Sequence, residues 1–226
     1  TGGAGSDTID GGAGTDIAVF AGNLEDYTFA SSANGLTVTV TNTKTGDADT
    51  VTGVETLRFA GDVDIGMSRD STDGHMILTG TSAADTITVV GDVGIEVPGT
   101  DGADALTGGA GDDDIEGAAG NDTIAGGAGN DTLDGGADDD ILSGDAGSDT
   151  IDGGDGTDIA KFAGKQAEYT FASSGDGKTI TVTHVATSDA DTVTNVETLS
   201  FDDGDIGVSL DANGLVLTGA GEVDNI

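Results

Sequence analysis

From Gly99 to Lys161 the chain reads GTDGADALT, GGAGDDDIE, GAAGNDTIA, GGAGNDTLD, GGADDDILS, GDAGSDTID and GGDGTDIAK, seven contiguous nonapeptides. A repeat of fixed period decides the fold before any other signal. In GGAGNDTLD at 126–134, Gly126, Gly127 and Gly129 permit a sharp turn at positive φ, where a side chain would clash. Asp131 closes the turn with a carboxylate. Thr132-Leu133-Asp134 is long enough for a short strand whose middle residue points inward and whose neighbours point outward. The inward positions Leu106, Ile115, Ile124, Leu133, Leu142 and Ile151 are aliphatic. One unit buries a single side chain and cannot fold alone. Stacked, two nonapeptides make one coil with a strand on each side of a narrow shared core. The turns gather on both edges, where Asp carboxylates and backbone carbonyls of adjacent coils converge into a cage of hard oxygens suited to Ca²⁺.

Outward from this block, two further copies, GGAGSDTID and GGAGTDIAV, occupy 2–19, and isolated copies stand at 80–88 (GTSAADTIT) and 219–226 (GAGEVDNI). A longer period of 142 residues encloses the short one: Gly-Ser-Asp-Thr-Ile-Asp at 5–10 recurs at 147–152, and the spacing holds to Phe59 and Phe201. Phe20, Tyr27, Phe29 and Phe59 pair in this way with Phe162, Tyr169, Phe171 and Phe201, so the aromatic residues all lie between the nonapeptide blocks. There Leu36-Thr-Val38-Thr-Val40-Thr and Ile180-Thr-Val182-Thr alternate as strands do, after turns at Asn34-Gly35 and Gly175-Asp176-Gly177. Tyr27-Thr-Phe29 and Tyr169-Thr-Phe171 are their expected hairpin partners, one further strand is expected over 50–59 and its counterpart 192–201, and no helix is expected. The fold class is therefore all-β: a parallel β-roll alternating with small antiparallel β modules, in a tandem duplication of about 140 residues. The expected division is 1–19, the end of a first roll; 20–79, a β module; 80–98, a degenerate repeat and linker; 99–161, the central roll; 162–218, a second module; and 219–226, the start of a further repeat.

Composition narrows the function. The 226 residues carry 43 acidic against 6 basic side chains, a formal charge of -37, which repels nucleic acid and anionic membrane surfaces alike. It also opposes compaction, so a folded chain needs a neutralising partner. The acids are 36 Asp and 7 Glu, and the short Asp arm suits turns and oxygen-ligated metal. With no cysteine there is neither a disulfide framework nor a thiolate site. No apolar run reaches the roughly 18 residues of a membrane helix, so no membrane insertion is expected. The chain opens and stops inside repeats, as an excerpt of a longer protein would, with any export signal outside it.

Residues 99–161 and 2–19 follow the pattern G-G-x-G-x-D-x-U-x and resemble the RTX family, the hemolysin-type calcium-binding nonapeptide repeats of secreted bacterial proteins. The resemblance makes the sixth-position aspartates the principal side-chain ligands of several Ca²⁺ ions: Asp7, Asp16, Asp104, Asp113, Asp122, Asp131, Asp140, Asp149 and Asp158. The turn glycines Gly102, Gly109, Gly111, Gly120, Gly127, Gly129, Gly136, Gly147, Gly154 and Gly156 join them through the backbone. About five ions are expected in seven repeats, since same-edge turns are two repeats apart. The family further implies a type I secretion partner and an extracellular or cell-surface location on a Gram-negative bacterium.

Departures from the pattern carry expectations of their own. Asp138 at a fourth position is expected either to strain its turn or to make it bind differently, and Ala118, Asp145 and Thr100 at second positions to be milder changes. Ala18 and Ala160 fill the apolar slot just before Phe20 and Phe162, where the module is expected to cap the roll. Asp47-Ala-Asp49 and Asp189-Ala-Asp191 read as polar turn residues before a strand, with extra calcium ligation as the alternative. His75 and His184 read as surface or turn residues, and Asn-Asp-Thr at 121 and 130 matches a glycosylation acceptor only formally. No zincin, nucleophile-elbow or EF-hand pattern is present, so no enzyme is expected. The expected function is a calcium-dependent structural or adhesive extracellular repeat protein, a surface-layer, filament or matrix component that folds on Ca²⁺ after secretion and self-associates. The alternative is the C-terminal calcium-binding and secretion region of an exported enzyme or toxin.

Overall fold

The computed structural model describes residues 1–69, 75–91, 93–174, 178–211, 214–219 and 223–225; the expected turn at 175–177 and part of the copy at 219–226 lie outside them. Within the central block, Ala105–Thr107, Thr123–Ala128, Ile141–Ala146 and Ile159–Lys161 form one parallel sheet, with Leu106, Ile124, Leu142 and Ala160 in register. Asp114–Glu116, Thr132–Asp134 and Thr150–Asp152 form the facing sheet, with Ile115, Leu133 and Ile151 in register. These aliphatic residues are at most 1% exposed and belong to one continuous core, whereas Thr132 and Asp134 on either side of Leu133 face solvent. Thr86–Thr88 and Ile95–Pro98 add an earlier rung to each sheet. The segment 80–98, expected as repeat plus linker, thus contributes strands to both sides of the roll.

The hairpins form as their alternation predicts, Tyr27–Ser31 with Thr37–Asn42 and Tyr169–Ser173 with Thr179–His184. The single strand expected over 50–59 is instead two, Ala48–Thr52 and Thr56–Phe59, and its counterpart is Ala190–Thr194 and Thr198–Phe201. Between them Gly53 and Asn195 adopt φ of 59° and 50°, turning the chain from one sheet into the other. Ala190–Thr194 lies parallel to Thr150–Asp152 with Val193 beside Ile151, and Thr198–Phe201 lies parallel to Ile159–Lys161 with Leu199 beside Ala160. The same holds for Val51 beside Ile9 and Leu57 beside Ala18. The end of each module is therefore one more coil of the roll, with a hairpin inserted before it. Two single 3₁₀ turns, Leu24–Asp26 and Gln166–Glu168, are the helical elements among the described residues.

The aromatic groups of the two modules repeat the same packing. Phe20 stacks on Phe59 at 5.4 Å and Phe162 on Phe201 at 5.3 Å, while Phe29 and Phe171 meet those partners edge-on at 6.0 Å. Burial differs, because Phe29 is bridged by Val89, its carbonyl accepts the Val90 N–H, and its side chain is fully buried. Phe171, on the corresponding strand, is only partly covered.

Because each strand of the roll contributes one core side chain, Leu133→Ala should lower the stability of the Ca²⁺-loaded chain by about 2–5 kcal/mol in denaturant unfolding. Ile141→Thr, on the solvent face of a neighbouring strand, should change it by no more than about 0.5 kcal/mol.

Candidate metal centre

Each sixth-position aspartate folds back under its own turn. A Cβ placed on Gly117 would stand 2.4 Å from Asp122 Oδ2 and 2.5 Å from the Gly135 carbonyl oxygen; on Gly135 it would stand 2.5 Å from Asp140 Oδ2 and 2.6 Å from the Gly153 carbonyl oxygen. The first glycine of the repeat thus makes room for a carboxylate oxygen and for a carbonyl of the next coil. The sequence reading credited the second and fourth glycines and left these first ones out of the site. Several second-position carbonyls bind the next coil directly, Gly109 accepting from Ala128 and Gly136 from Asp155. The turns also demand left-handed backbone: Gly129 has φ 133°, and where glycine is replaced, Asp138, Ala118 and Asp145 still adopt φ of 80°, 77° and 68°. Asp138 meets the strain expected of it, and Ala118 and Asp145, expected to be milder, sit in the same disfavoured region.

The first carboxylate oxygen has a fixed partner. On one edge, Oδ1 of Asp104, Asp122, Asp140 and Asp158 accepts the backbone N–H of Asp85, Asp104, Asp122 and Asp140 in turn, at 2.7–2.9 Å. On the other edge, Oδ1 of Asp113, Asp131 and Asp149 accepts from Ile95, Asp113 and Asp131 at 2.8–2.9 Å. Each bond spans one coil, 18 residues except for the 19 between Asp85 and Asp104, so two ladders of carboxylates run along the roll. Both continue into the modules, at Asp49 and Asp191, which the sequence reads as polar turn residues with calcium ligation as the alternative, and at Glu55 and Glu197, where it placed no ligand. Asp191 Oδ1 accepts from Asp149 at 2.9 Å and Glu197 Oε2 from Asp158 at 2.8 Å; Asp49 Oδ1 and Glu55 Oε2 do the same for Asp7 and Asp16 at 2.8 Å. A signal was there to be read: Asp-Thr-Val-Thr at 49–52 and 191–194 echoes Asp-Thr-Ile-Asp at 7–10 and 149–152.

The second oxygen has no donor. Oδ2 of Asp7, Asp16, Asp122, Asp131, Asp140, Asp149 and Asp158 is buried without a hydrogen-bond partner. Asp113 differs, its Oδ2 accepting the Gly109 N–H at 2.7 Å, and Asp85 is satisfied locally by Thr81. Burial, opposed by the backbone hydrogen bond and reinforced by neighbouring carboxylates, pushes Asp122, Asp131, Asp140 and Asp158 up to about 6. A row of buried, half-satisfied carboxylates beside backbone carbonyls is a costly arrangement that a hard cation relieves, so the donor set fits Ca²⁺. Among the described residues no three acidic or histidine side chains converge on one point, which leaves an ion here to draw on backbone carbonyls as well as carboxylates.

Two outcomes follow. Gly135→Ala, which sets a methyl against Asp140 Oδ2 and the Gly153 carbonyl, should weaken Ca²⁺ binding at that turn about tenfold, near 1.4 kcal/mol, in a calorimetric titration. In Ca²⁺-free buffer, the raised carboxyls hold protons in the folded chain that the unfolded chain has released above about pH 4. The ion-free fold is then most stable below about pH 4 and loses that stability as pH rises through about 6, so its circular-dichroism strand signal should fall from pH 4 to 7. Saturating Ca²⁺ should abolish the loss at pH 7.

Comparison with a family model agrees with this geometry. The model of the RTX calcium-binding nonapeptide repeat matches residues 1–19, 98–133 and 125–160. No curated protein matches the chain. Among solved structures, the extracellular lipase LipA from Serratia marcescens aligns over 85% of this chain and 32% of its own, at 18% identity and a TM-score of 0.26. The chain thus spans about a third of that lipase's length. The nonapeptide blocks, with their glycine turns, carboxylate ladders and one-residue core, match the RTX calcium-binding nonapeptide repeat, a repeat that binds several Ca²⁺ ions.

Proposed function

We propose that this chain is a calcium-dependent structural and adhesive section of an exported protein, of the kind that builds a surface layer, filament or matrix. The observation that carries this reading is the duplication of the whole unit, roll and module together, with the same registers and the same aromatic packing in both copies. A region that only assists secretion of a catalytic domain has no need to alternate calcium coils with copied modules. We assign as side-chain ligands the seven aspartates whose Oδ2 is buried without a donor, Asp7, Asp16, Asp122, Asp131, Asp140, Asp149 and Asp158. Asp104 and Asp113 are secondary members, with backbone carbonyls of the turn glycines completing the cages.

The same residues account for timing. With a formal charge of -37 and its acids stacked in two ladders, the chain repels itself when no cation is bound, which keeps it extended and suits passage through a type I secretion channel of a Gram-negative cell. Bound Ca²⁺ supplies the positive charge that lets the buried carboxylates stay ionised in the folded roll. Extracellular calcium modules bind at about 10⁻⁴ to 10⁻³ M, a range that separates the cytosol from the outside.

Titrating Ca²⁺ into the chelated chain should raise the strand signal in circular dichroism across that range, and Asp131→Asn should move the midpoint to higher Ca²⁺. Strand content indifferent to both Ca²⁺ and chelator sinks the folding mechanism. For the structural role, the full-length gene decides: further copies of the 142-residue unit support it, and a single catalytic domain joined to this pair of units overturns it.

A further inference from the structure

The outward face of each hairpin belongs neither to the carboxylate ladder nor to the core. In the first module, Thr37–Asn42 and Ala48–Thr52 turn Thr37, Thr39, Thr41, Thr50 and Thr52 to that side, while Val38, Val40 and Val51 between them are buried. The flanking strands widen the face, with Thr28 and Ala30 beside Thr41 and Thr39, and Thr8 beside Thr50. All of these threonines are at least partly exposed. In the second module Thr179, Thr181, Thr183, Thr192 and Thr194 repeat the array in the same registers, flanked by Thr170, Ala172 and Thr150.

Two features set this face apart. In a chain with 43 acidic side chains it carries one acid, Asp10 or Asp152, at a corner, where Oδ1 is already occupied by the N–H of Gly12 or Gly154. The outward rows of the roll alongside hold Asp114, Glu116 and Asp134 instead. The face is also the same in both copies, residue for residue. The rest of the module surface is not: Asn23 becomes Lys165, Leu36 becomes Lys178, Lys44 becomes Ala186, and Arg58 on the neighbouring strand becomes Ser200. Strand propensity favours threonine, but it favours valine, isoleucine and tyrosine as well, so it does not fix threonine at each of these places twice over.

Charge selects the occupant. Two chains of formal charge -37 repel wherever their acidic rows meet, and the hairpin faces are where copies approach without setting carboxylate against carboxylate. An uncharged patch is also self-complementary, as a two-fold contact between identical faces requires. Along the row Ala30, Thr39, Thr50 a small side chain stands beside branched ones, so threonine methyls of one face fit the dents over the alanines of another at the sheet spacing of about 10 Å. The face measures roughly 15 Å on a side, a few hundred Å². That is short of the about 800 Å² per partner of a stable interface, so one face binds weakly. Two faces on one chain link copies in series and reinforce each other.

We propose that the threonine face of each module docks on the same face of a second copy of this chain, so that every Ca²⁺-loaded chain joins two others. This docking rests on the structural reading given above and supplies its contact.

Thr39→Asp sets a carboxylate at the centre of one face, and Thr181→Asp does so on the other, both at positions outside the core. In sedimentation velocity at saturating Ca²⁺, with protein up to about 1 mM because a patch of this size binds weakly, the unaltered chain should form oligomers larger than pairs. Either single variant should stop at pairs. The double variant should stay monomeric, with an association constant lower by about tenfold or more. Val185→Asp, on an exposed loop of the second module away from the face, should assemble as the unaltered chain does. Circular dichroism checks that each variant keeps its strand signal, and glutamine at both threonines blocks the contact by bulk if aspartate weakens the strand. Association unchanged in a folded double variant overturns the docking face and leaves the structural reading standing. A Ca²⁺-loaded chain that is monomeric throughout also overturns it; if that chain is retained on an insoluble neutral polysaccharide only while Thr39 and Thr181 are intact, the face belongs to a glycan. A catalytic domain in the full-length gene would instead remove the structural reading without altering the measured contact.

Discussion

An aspartate that faces two ways holds this structure together. With Oδ1 it accepts the backbone N–H of the aspartate one coil earlier, and with Oδ2 it stands buried beside the carbonyl of a glycine in the coil that follows. The first contact fixes the register of neighbouring coils, because a one-residue slip would carry both the carboxylate and the aliphatic side chain off their rows. The second leaves a charged oxygen without a partner in a place where water cannot reach it, which is unfavourable by itself. Coil stacking and cation binding are therefore the same event seen from the two oxygens of one carboxylate.

The hydrophobic contribution is thin by comparison. Each strand of the roll offers one aliphatic side chain, and a single row of Leu and Ile between two sheets cannot stabilise a chain that carries a formal charge of -37. The modules add what the roll lacks, a compact aromatic cluster around Phe59 or Phe201. They do so without interrupting the roll, since Val51, Leu57, Val193 and Leu199 take the next core positions in register. A module is a coil whose two strands are preceded by a hairpin, and the ladder passes through it by way of Asp49, Glu55, Asp191 and Glu197.

Much of this could be read from residue spacing. The nine-residue period placed the strands, the inward aliphatic residues and the sixth-position aspartates, and the alternation at Leu36–Val40 and Ile180–Val182 placed the hairpins. The reading faltered where a residue's role depends on a partner far away in the chain. Asp49 and Asp191 look like loop acids because the residues around them lack the glycine pattern, and only the parallel pairing with Thr8–Asp10 and Thr150–Asp152 makes them rungs. The stretch 50–59 reads as one strand, but Gly53 at positive φ sends its halves to opposite sheets.

The sequence by itself determined the period, the core positions, the need for a cation and the type of repeat, because each of these follows from local chemistry repeated at a fixed interval. Tertiary structure alone decided which carboxylate oxygen is satisfied and which is not. The Oδ2 of Asp113 finds the Gly109 N–H, while the Oδ2 of Asp131 in the next coil finds nothing, although the two repeats read almost alike. It also decided that the modules continue the ladder and do not simply end it. The physical reason is that a buried oxygen is judged by what stands within about 3 Å of it: for Asp113 Oδ2 that is the N–H of its own turn, and for Asp191 Oδ1 it is an N–H from a distant part of the chain.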